Sequence, residues 1–419
     1  MASEEPAEVK MSREPPPVER FRPVDIDHMD WSALRAECPV SRVRTAGGEP
    51  AWLVTRYKDI RAVLGSQTFS VQPIDMESGS GTYEANESIF QDPPEHTRLR
   101  GLVAGPFAVG RVEQYRDAIQ KTAYALIESM KTADGPIDLM ERFAKPLTIN
   151  VIGEVVGVPA PDRDMFRRGS DKLLVPMHEN GGAEAREGWH TLNDYVMALI
   201  ARRRRENHDP RADLIGHLIS SQTVDEKLTD VEVTTMVLGL PVAGYVSTAN
   251  AIAVAVRHLV EDGWMDRLRA APDVREQSKL FVEEVLRIQS GDNGESMPRF
   301  AAGSFEVGGT TINKGDIVVA PLIAANRDES MFDRPGTFDP HREGLSRHIA
   351  FGFGIHRCLG ANLARLELQI AVDALVESGI CFELLERWDE VPWRQNMLGD
   401  RFPERLMVGV SLAPAGGEV

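Results

Sequence analysis

From Glu95 to Arg287, apolar residues recur every three or four positions, the spacing of helices with one buried face. Within that region Thr229-Asp230-Val231-Glu232 has the form of a capping box. The run Met236, Val237, Leu238, Leu240, Val242 and Ala243 behind it predicts an apolar helix. Pro241 removes one hydrogen bond from that helix and is expected to add to a kink. A second long helix is predicted from Leu359 to about Glu377. Strand-like patterning covers Val40 to Arg56 around Ala46-Gly47-Gly48. It returns between Phe300 and Val319, marked by Gly308-Gly309 and Asn313-Lys314-Gly315, and again in the tail from Cys381 to Leu412. Between Ser70 and Phe90 there is little periodicity, which predicts a long loop, and long loops inside compact domains usually serve function. Residues 1 to about 20 are polar and rich in Pro and Glu, and are expected to be disordered.

The chain is therefore mainly α with minor β. Its 419 residues would by length suggest two or three domains. The candidate chemistry, however, is spread from His96 to Cys358, which argues for one domain over 21–419. A net charge of −17 argues against nucleic acid as a partner. The run Arg202-Arg203-Arg204-Arg205 ends an amphipathic stretch and reads as a solvated helix terminus. Three cysteines, Cys38, Cys358 and Cys381, are too few and too odd for a disulfide framework, and fit a reducing cytoplasm. No run approaches the roughly 18 apolar residues of a membrane span. The N-terminus has no apolar segment of the signal-peptide kind.

The most informative segment is Phe351-Gly352-Phe353-Gly354-Ile355-His356-Arg357-Cys358-Leu359-Gly360. An aromatic and two glycines lead into a lone cysteine, and a predicted helix follows. Glycines allow backbone to approach a flat group closely. A helix N-terminus stabilises a thiolate. The pattern Phe-x-x-Gly-x-x-x-Cys-x-Gly resembles the haem-binding loop of the cytochrome P-450 family, and the resemblance extends from Phe21 to Leu412.

That resemblance implies a mainly helical cytochrome P-450 fold with a smaller β-rich lobe, haem b as cofactor, and Cys358 as the metal ligand, with Phe351, Gly352 and Gly360 lining the cofactor. It implies cationic or imidazole partners for the haem carboxylates at His96, Arg100, Arg299 and His356. It implies a structural triad of Glu284, Arg287 and Arg342. The oxygen-activation segment reads Ala243-Gly244-Tyr245-Val246-Ser247-Thr248, where the family usually has an acid before the alcohol. Val246 stands at the acid's position and Ser247 at the alcohol's, with Thr248 as a further hydroxyl. Ala243 and Gly244 leave room for oxygen.

Substrate contacts are expected around Ile89, Val246, Gln289, Ser290 and Met397, and the polar segment 288–297 suggests a heteroatom-bearing substrate. The implied activity is a cytoplasmic, monomeric monooxygenase that draws electrons from a ferredoxin-type protein and its reductase. The implied docking face gathers Arg98, Arg100, Arg111 and Arg357. Two rivals remain open: oxidative C–C or C–N coupling on the same scaffold, and a haem-based sensor without turnover.

Overall fold

The computed structural model describes residues 30–45, 48–72, 90–176, 179–206, 209–225, 228–289, 297–396 and 401–412. Residues 1–20, expected to be disordered, lie outside them. The described chain opens with α1 (Trp31–Glu37), the antiparallel pair β1 (Val40–Arg44) and β2 (Pro50–Val54), then α2 (Tyr57–Gly65) and β3 (Phe69–Ser70). The helical region contains α3 (Glu95–Val103), α4 (Val109–Val112), α5 (Arg116–Lys131), β4 (Ile137–Asp138), α6 (Lys145–Val156), α7 (Arg163–Leu173) and α8 (Ala183–Arg205). It continues through α9 (Leu214–Asp225), α10 (Asp230–Glu261), α11 (Trp264–Arg269) and α12 (Val274–Gln289). Short strands β5 (Arg299–Ala301), β6 (Phe305–Val307), β7 (Thr310–Ile312) and β8 (Ile317–Val319) precede α13 (Leu322–Asn326). After the cysteine loop come α14 (Ala361–Glu377), β9 (Ile380–Leu384), β10 (Trp393–Gln395), β11 (Arg401–Pro403) and β12 (Met407–Leu412).

The pattern missed α1 and α2, both short. Asp30 caps α1 by accepting the Ala33 N–H at 2.9 Å. In α2 the residues Tyr57, Ile60, Val63 and Leu64 form the buried stripe. The largest sheet has the order β1-β2-β8-β5-β3, with β2 and β8 its parallel pair. Pairing of Arg299 opposite Val318 fixes the backbone of that arginine within this sheet. One apolar core joins α5, α6, α10, α12 and α14; a second, smaller one lies under the β-rich lobe and includes Trp31, Ile60, Phe332 and Ile349.

Helix α10 carries the predicted capping box: Thr229 Oγ1 accepts the Glu232 N–H at 3.1 Å, and Glu232 Oε2 accepts the Thr229 N–H at 2.7 Å. The helix runs on through Pro241. Among the described residues it is the one helix long and apolar enough to cross a membrane by length and composition, a feature the sequence pattern did not flag. Of its most apolar stretch, 72% is buried inside the protein, because a helix packed on all sides is apolar all round. The basic end of α8 is more than a solvated terminus. Arg203 pairs with Asp213, and Arg204 with Asp230 at 2.5 Å.

Glu367 on α14 is buried, and its Oε1 has no partner among the described residues. Burial pushes its carboxyl up to about 8. The unfolded chain gives up this proton near pH 4.5, while the folded chain holds it up to about 8. Stability therefore falls as pH rises from about 4.5, and the loss is complete above the folded value. Glu367→Gln is expected to flatten this slope and to raise stability at pH 8 by on the order of 3 kcal/mol. Urea unfolding of both proteins at pH 6 and pH 8 measures it; parallel pH profiles would contradict the expectation.

Candidate active site

The cysteine loop is held by its own backbone and by the Asn326 side chain. The Ile349 N–H donates to Asn326 Oδ1 at 2.8 Å, the Gly352 N–H to the Ile349 carbonyl at 2.9 Å, and the Cys358 N–H to the Phe351 carbonyl at 2.8 Å. Gly352 and Gly354 adopt φ of 73° and 78°, where a side chain would be strained. A Cβ on Gly354 would also collide with the carbonyl oxygen of Leu64, at the end of α2. Gly360 precedes α14 as its N-cap, with no side chain capping the first turn, and its N–H is directed at the Cys358 sulfur.

Cys358 is exposed, yet protein surrounds the sulfur on its other sides and burial pushes the thiol up. The Gly360 N–H and the charges of Arg100, Arg357 and Arg365 act in the opposite sense and favour the thiolate. Among the described residues no group of three or more His, Cys, Asp or Glu could hold a metal ion. A metal at Cys358 would take its other ligands from a cofactor.

Beside this loop lie His96 on α3 and His356, with ring centroids 4.4 Å apart. His96 is 2% exposed, and neither ring nitrogen has a partner among the described residues. Burial first, then Arg100, lowers its pKa; burial, then His96 and Arg299, brings His356 down to about 4. Arg100 donates to the Arg357 carbonyl, and the buried Arg299 donates to the Met297 carbonyl at 2.7 Å. The buried His96 ring, with neither nitrogen partnered among the described residues and cationic Arg100 and Arg299 nearby, suits a group that brings its own carboxylates. This donor set, the open sulfur and the glycine-lined loop fit haem.

On α10 the pattern of burial breaks for one turn. Ala243 is exposed and Gly244 and Ser247 half-buried, while the helix is otherwise largely buried from Thr248 to Val256. These three positions share a face. Ser247 Oγ donates to the Ala243 carbonyl at 3.1 Å. Val246 (5% exposed) and Thr248 lie on the buried side, and Val246 packs in the main apolar core rather than on the open face. Gln289 is half-buried at the end of α12. Ile89, Ser290 and Met397 lie outside the described residues.

Glu284, Arg287 and Arg342 meet in the interior. Arg287 forms a two-pronged pair with Glu284, Nε to Oε2 and Nη2 to Oε1, each at 2.7 Å. Arg342 Nε lies 3.1 Å from both Glu284 oxygens, and the Asp339 N–H donates to Oε1 at 2.9 Å. The next residue back, Glu283, holds His348 (2.7 Å) and Arg365 (2.5 Å), a junction that sequence reasoning missed. Arg98 does not stand free on the expected docking face, because it pairs with Glu95 at 2.7 Å and with Glu232.

A family profile described as Cytochrome P450 matches residues 278–384. Nocardicin C N-oxygenase of Nocardia uniformis subsp. tsuyamanensis is 37% identical over 388 residues, covering 90% of this chain and 94% of the relative. The mycinamicin IV hydroxylase/epoxidase of Micromonospora griseorubida is also 37% identical, covering 88% of this chain and 92% of the relative. Among solved structures, the LnmA cytochrome P450 hydroxylase from the leinamycin biosynthetic pathway of Streptomyces atroolivaceus matches with a TM-score of 0.80 and 32% identity, over 96% of this chain and 99% of that one.

Proposed function

The chain belongs to the cytochrome P450 family, and from that premise we propose that it oxidises a small natural product with Cys358 as the axial ligand of haem b. Its class is that of its relatives, a bacterial haem-thiolate monooxygenase. Bound haem supplies the oxidising chemistry, with the thiolate donating electron density to iron. One observation carries the residue assignment: the exposed Cys358 sulfur lies in the same loop as His356, whose ring abuts the unpartnered His96. In this reading His96, His356, Arg100 and Arg299 bind the haem carboxylates. The Glu284–Arg287–Arg342 junction pins the chain that leads into the loop. Ala243 and Gly244 keep space open, and Ser247 orients water by exchanging its bond to the Ala243 carbonyl. Two relatives are named for nocardicin C and mycinamicin IV, which supports a heteroatom-bearing natural product as the substrate class. The test is turnover of a natural-product panel with surrogate ferredoxin and reductase under labelled oxygen. Label in the product supports monooxygenation; turnover that leaves the product unlabelled would overturn it.

Val246 favours oxidative coupling as the second reading, since a buried valine neither donates nor accepts a proton. A substrate N–H or O–H would then assist. On that basis Val246→Asp is expected to give less than a twofold gain in productive turnover, with more peroxide released, because burial disfavours the charged form of a carboxylate placed there. Ser247→Ala is expected to cost only about two- to fivefold, as its hydroxyl already serves its own helix. Product and peroxide measured under one electron supply decide. A several-fold gain with Val246→Asp and a single unchanged product would refute substrate assistance.

A ferredoxin-type donor fits Arg111 on α4 and the exposed Arg357, next to the exposed apolar Val109. Arg111→Glu is expected to slow reduction about three- to tenfold with little change in substrate affinity, and the wild-type rate is expected to fall as salt rises. Stopped-flow reduction across a salt series checks both. Rates indifferent to charge and salt would point to another docking face.

A further inference from the structure

Glu283 is the focus of a second ionic junction that the haem reading leaves without a task. Its Oε2 accepts from His348 Nε2 at 2.7 Å and from Arg365 Nη2 at 3.0 Å, and its Oε1 from Arg365 Nε at 2.5 Å. The His348 side chain is 1% exposed. Its Nδ1 accepts the Ala350 N–H at 3.2 Å, so Nε2 carries the hydrogen and donates to Glu283. Burial would raise the Glu283 carboxyl, but the bonds from His348 and Arg365 override it and hold it down at about 2, so the group is a carboxylate.

Two routes run from this carboxylate to the metal ligand. One passes through His348 and Ala350 to Phe351, whose carbonyl accepts the Cys358 N–H. The other passes through Arg365, whose guanidinium carbon lies 4.5 Å from the centre of the Phe351 ring. Arg365 also sits in α14, the helix whose N-terminus faces the sulfur, and its charge acts on that sulfur. Glu283 thus ties α12, the start of the cysteine loop and α14 to one another, and offsets a cation close to the thiolate.

We propose that Glu283 is a positioning residue for the axial thiolate, which, together with Arg365, sets how strongly the sulfur donates to haem iron. This rests on the haem-thiolate reading above. The two charges make opposite demands. Removing the carboxylate leaves Arg365 uncompensated, and a nearby positive charge favours the reduced iron. Removing the guanidinium leaves the carboxylate in excess and favours the oxidised iron.

The test is the reduction potential of the holoenzyme in four variants, with the ferrous–CO spectrum recorded for each. Glu283→Gln is expected to shift the ferrous-to-ferric ratio at fixed applied potential upward by about three- to tenfold, and Arg365→Gln to shift it downward by a similar factor. The double variant is expected to return close to wild type. Arg365→Lys, which keeps the charge but not the fork, is expected to stay near wild type. A loosened loop would move both single variants in the same direction, so equal signs, or no shift in either, would overturn the proposal. If Glu283→Gln does not retain haem, the comparison of Arg365→Gln with Arg365→Lys decides: only the loss of charge is expected to move the potential. A wild-type spectrum without the red-shifted thiolate band would instead overturn the haem-thiolate reading itself.

Discussion

Cys358→His is expected to lower turnover by at least about a thousandfold, on the order of 4 kcal/mol of lost transition-state stabilisation, while the protein still binds haem. The ferrous–CO complex is expected to lose the red-shifted Soret band of a thiolate and to take on that of an imidazole. The surroundings of the sulfur explain why no neutral ligand substitutes. Its backbone N–H is fixed on Phe351, the Gly360 N–H is directed at it, and Arg100, Arg357 and Arg365 place positive charge around it. These features favour an anion. Burial opposes the thiolate in the protein alone, and a coordinated metal deprotonates a thiol outright. The residues proposed to hold the haem carboxylates are untouched by the substitution, so haem retention separates loss of ligation from loss of fold. Unchanged spectra in the variant would remove Cys358 from the site.

Glu284→Gln is the second large effect. Glu284 and Arg287 are both 0% exposed, and Arg342 is buried beside them. One carboxylate here serves two guanidinium groups and the Asp339 N–H. Its amide replacement leaves two buried cations without a counter-charge, a loss of about 3–5 kcal/mol. Against a total stability of about 5–15 kcal/mol, this is a large fraction. Soluble, haem-loaded protein is expected to fall several-fold. Haem content per chain and the midpoint of urea unfolding report it, and a variant matching wild type in both would show that the junction contributes little. Arg287→Lys is expected to be nearly as damaging, because an ammonium cannot reproduce the two parallel bonds or the bond to the Asn326 carbonyl.

The parts of the molecule that were legible in the sequence are those written locally. The cysteine loop is ten consecutive residues whose glycines carry backbone information, and the α10 capping box spans four. The Glu284–Arg287 pair could be placed because three residues on a helix fix a distance. Glu283 was not legible. It sits beside Glu284, looks like an ordinary helix acid, and finds partners 65 and 82 residues away. The pairing of Arg98 was not legible for a similar reason, since its partner Glu232 is 134 residues distant. Val246 was read from its position in a motif. Helix phase, which the motif does not express, puts it on the buried side while Ala243 and Ser247 face the open one.

Gly354 has a wider consequence. Its backbone presses on the Leu64 carbonyl so closely that no β-carbon fits, and the Phe353 ring lies against Gly65 within contact distance. Arg61 of the same helix stacks on Phe353 at 4.2 Å. The smaller lobe therefore serves as the gauge against which the metal-binding segment is set. Unfolding of the β-rich lobe would remove the surface on which the loop rests, so haem release is expected to accompany it. For the same reason the loop is not a portable cassette. Grafted into another scaffold, it would keep its shape only if the recipient offered the same bare helix end for it to rest upon.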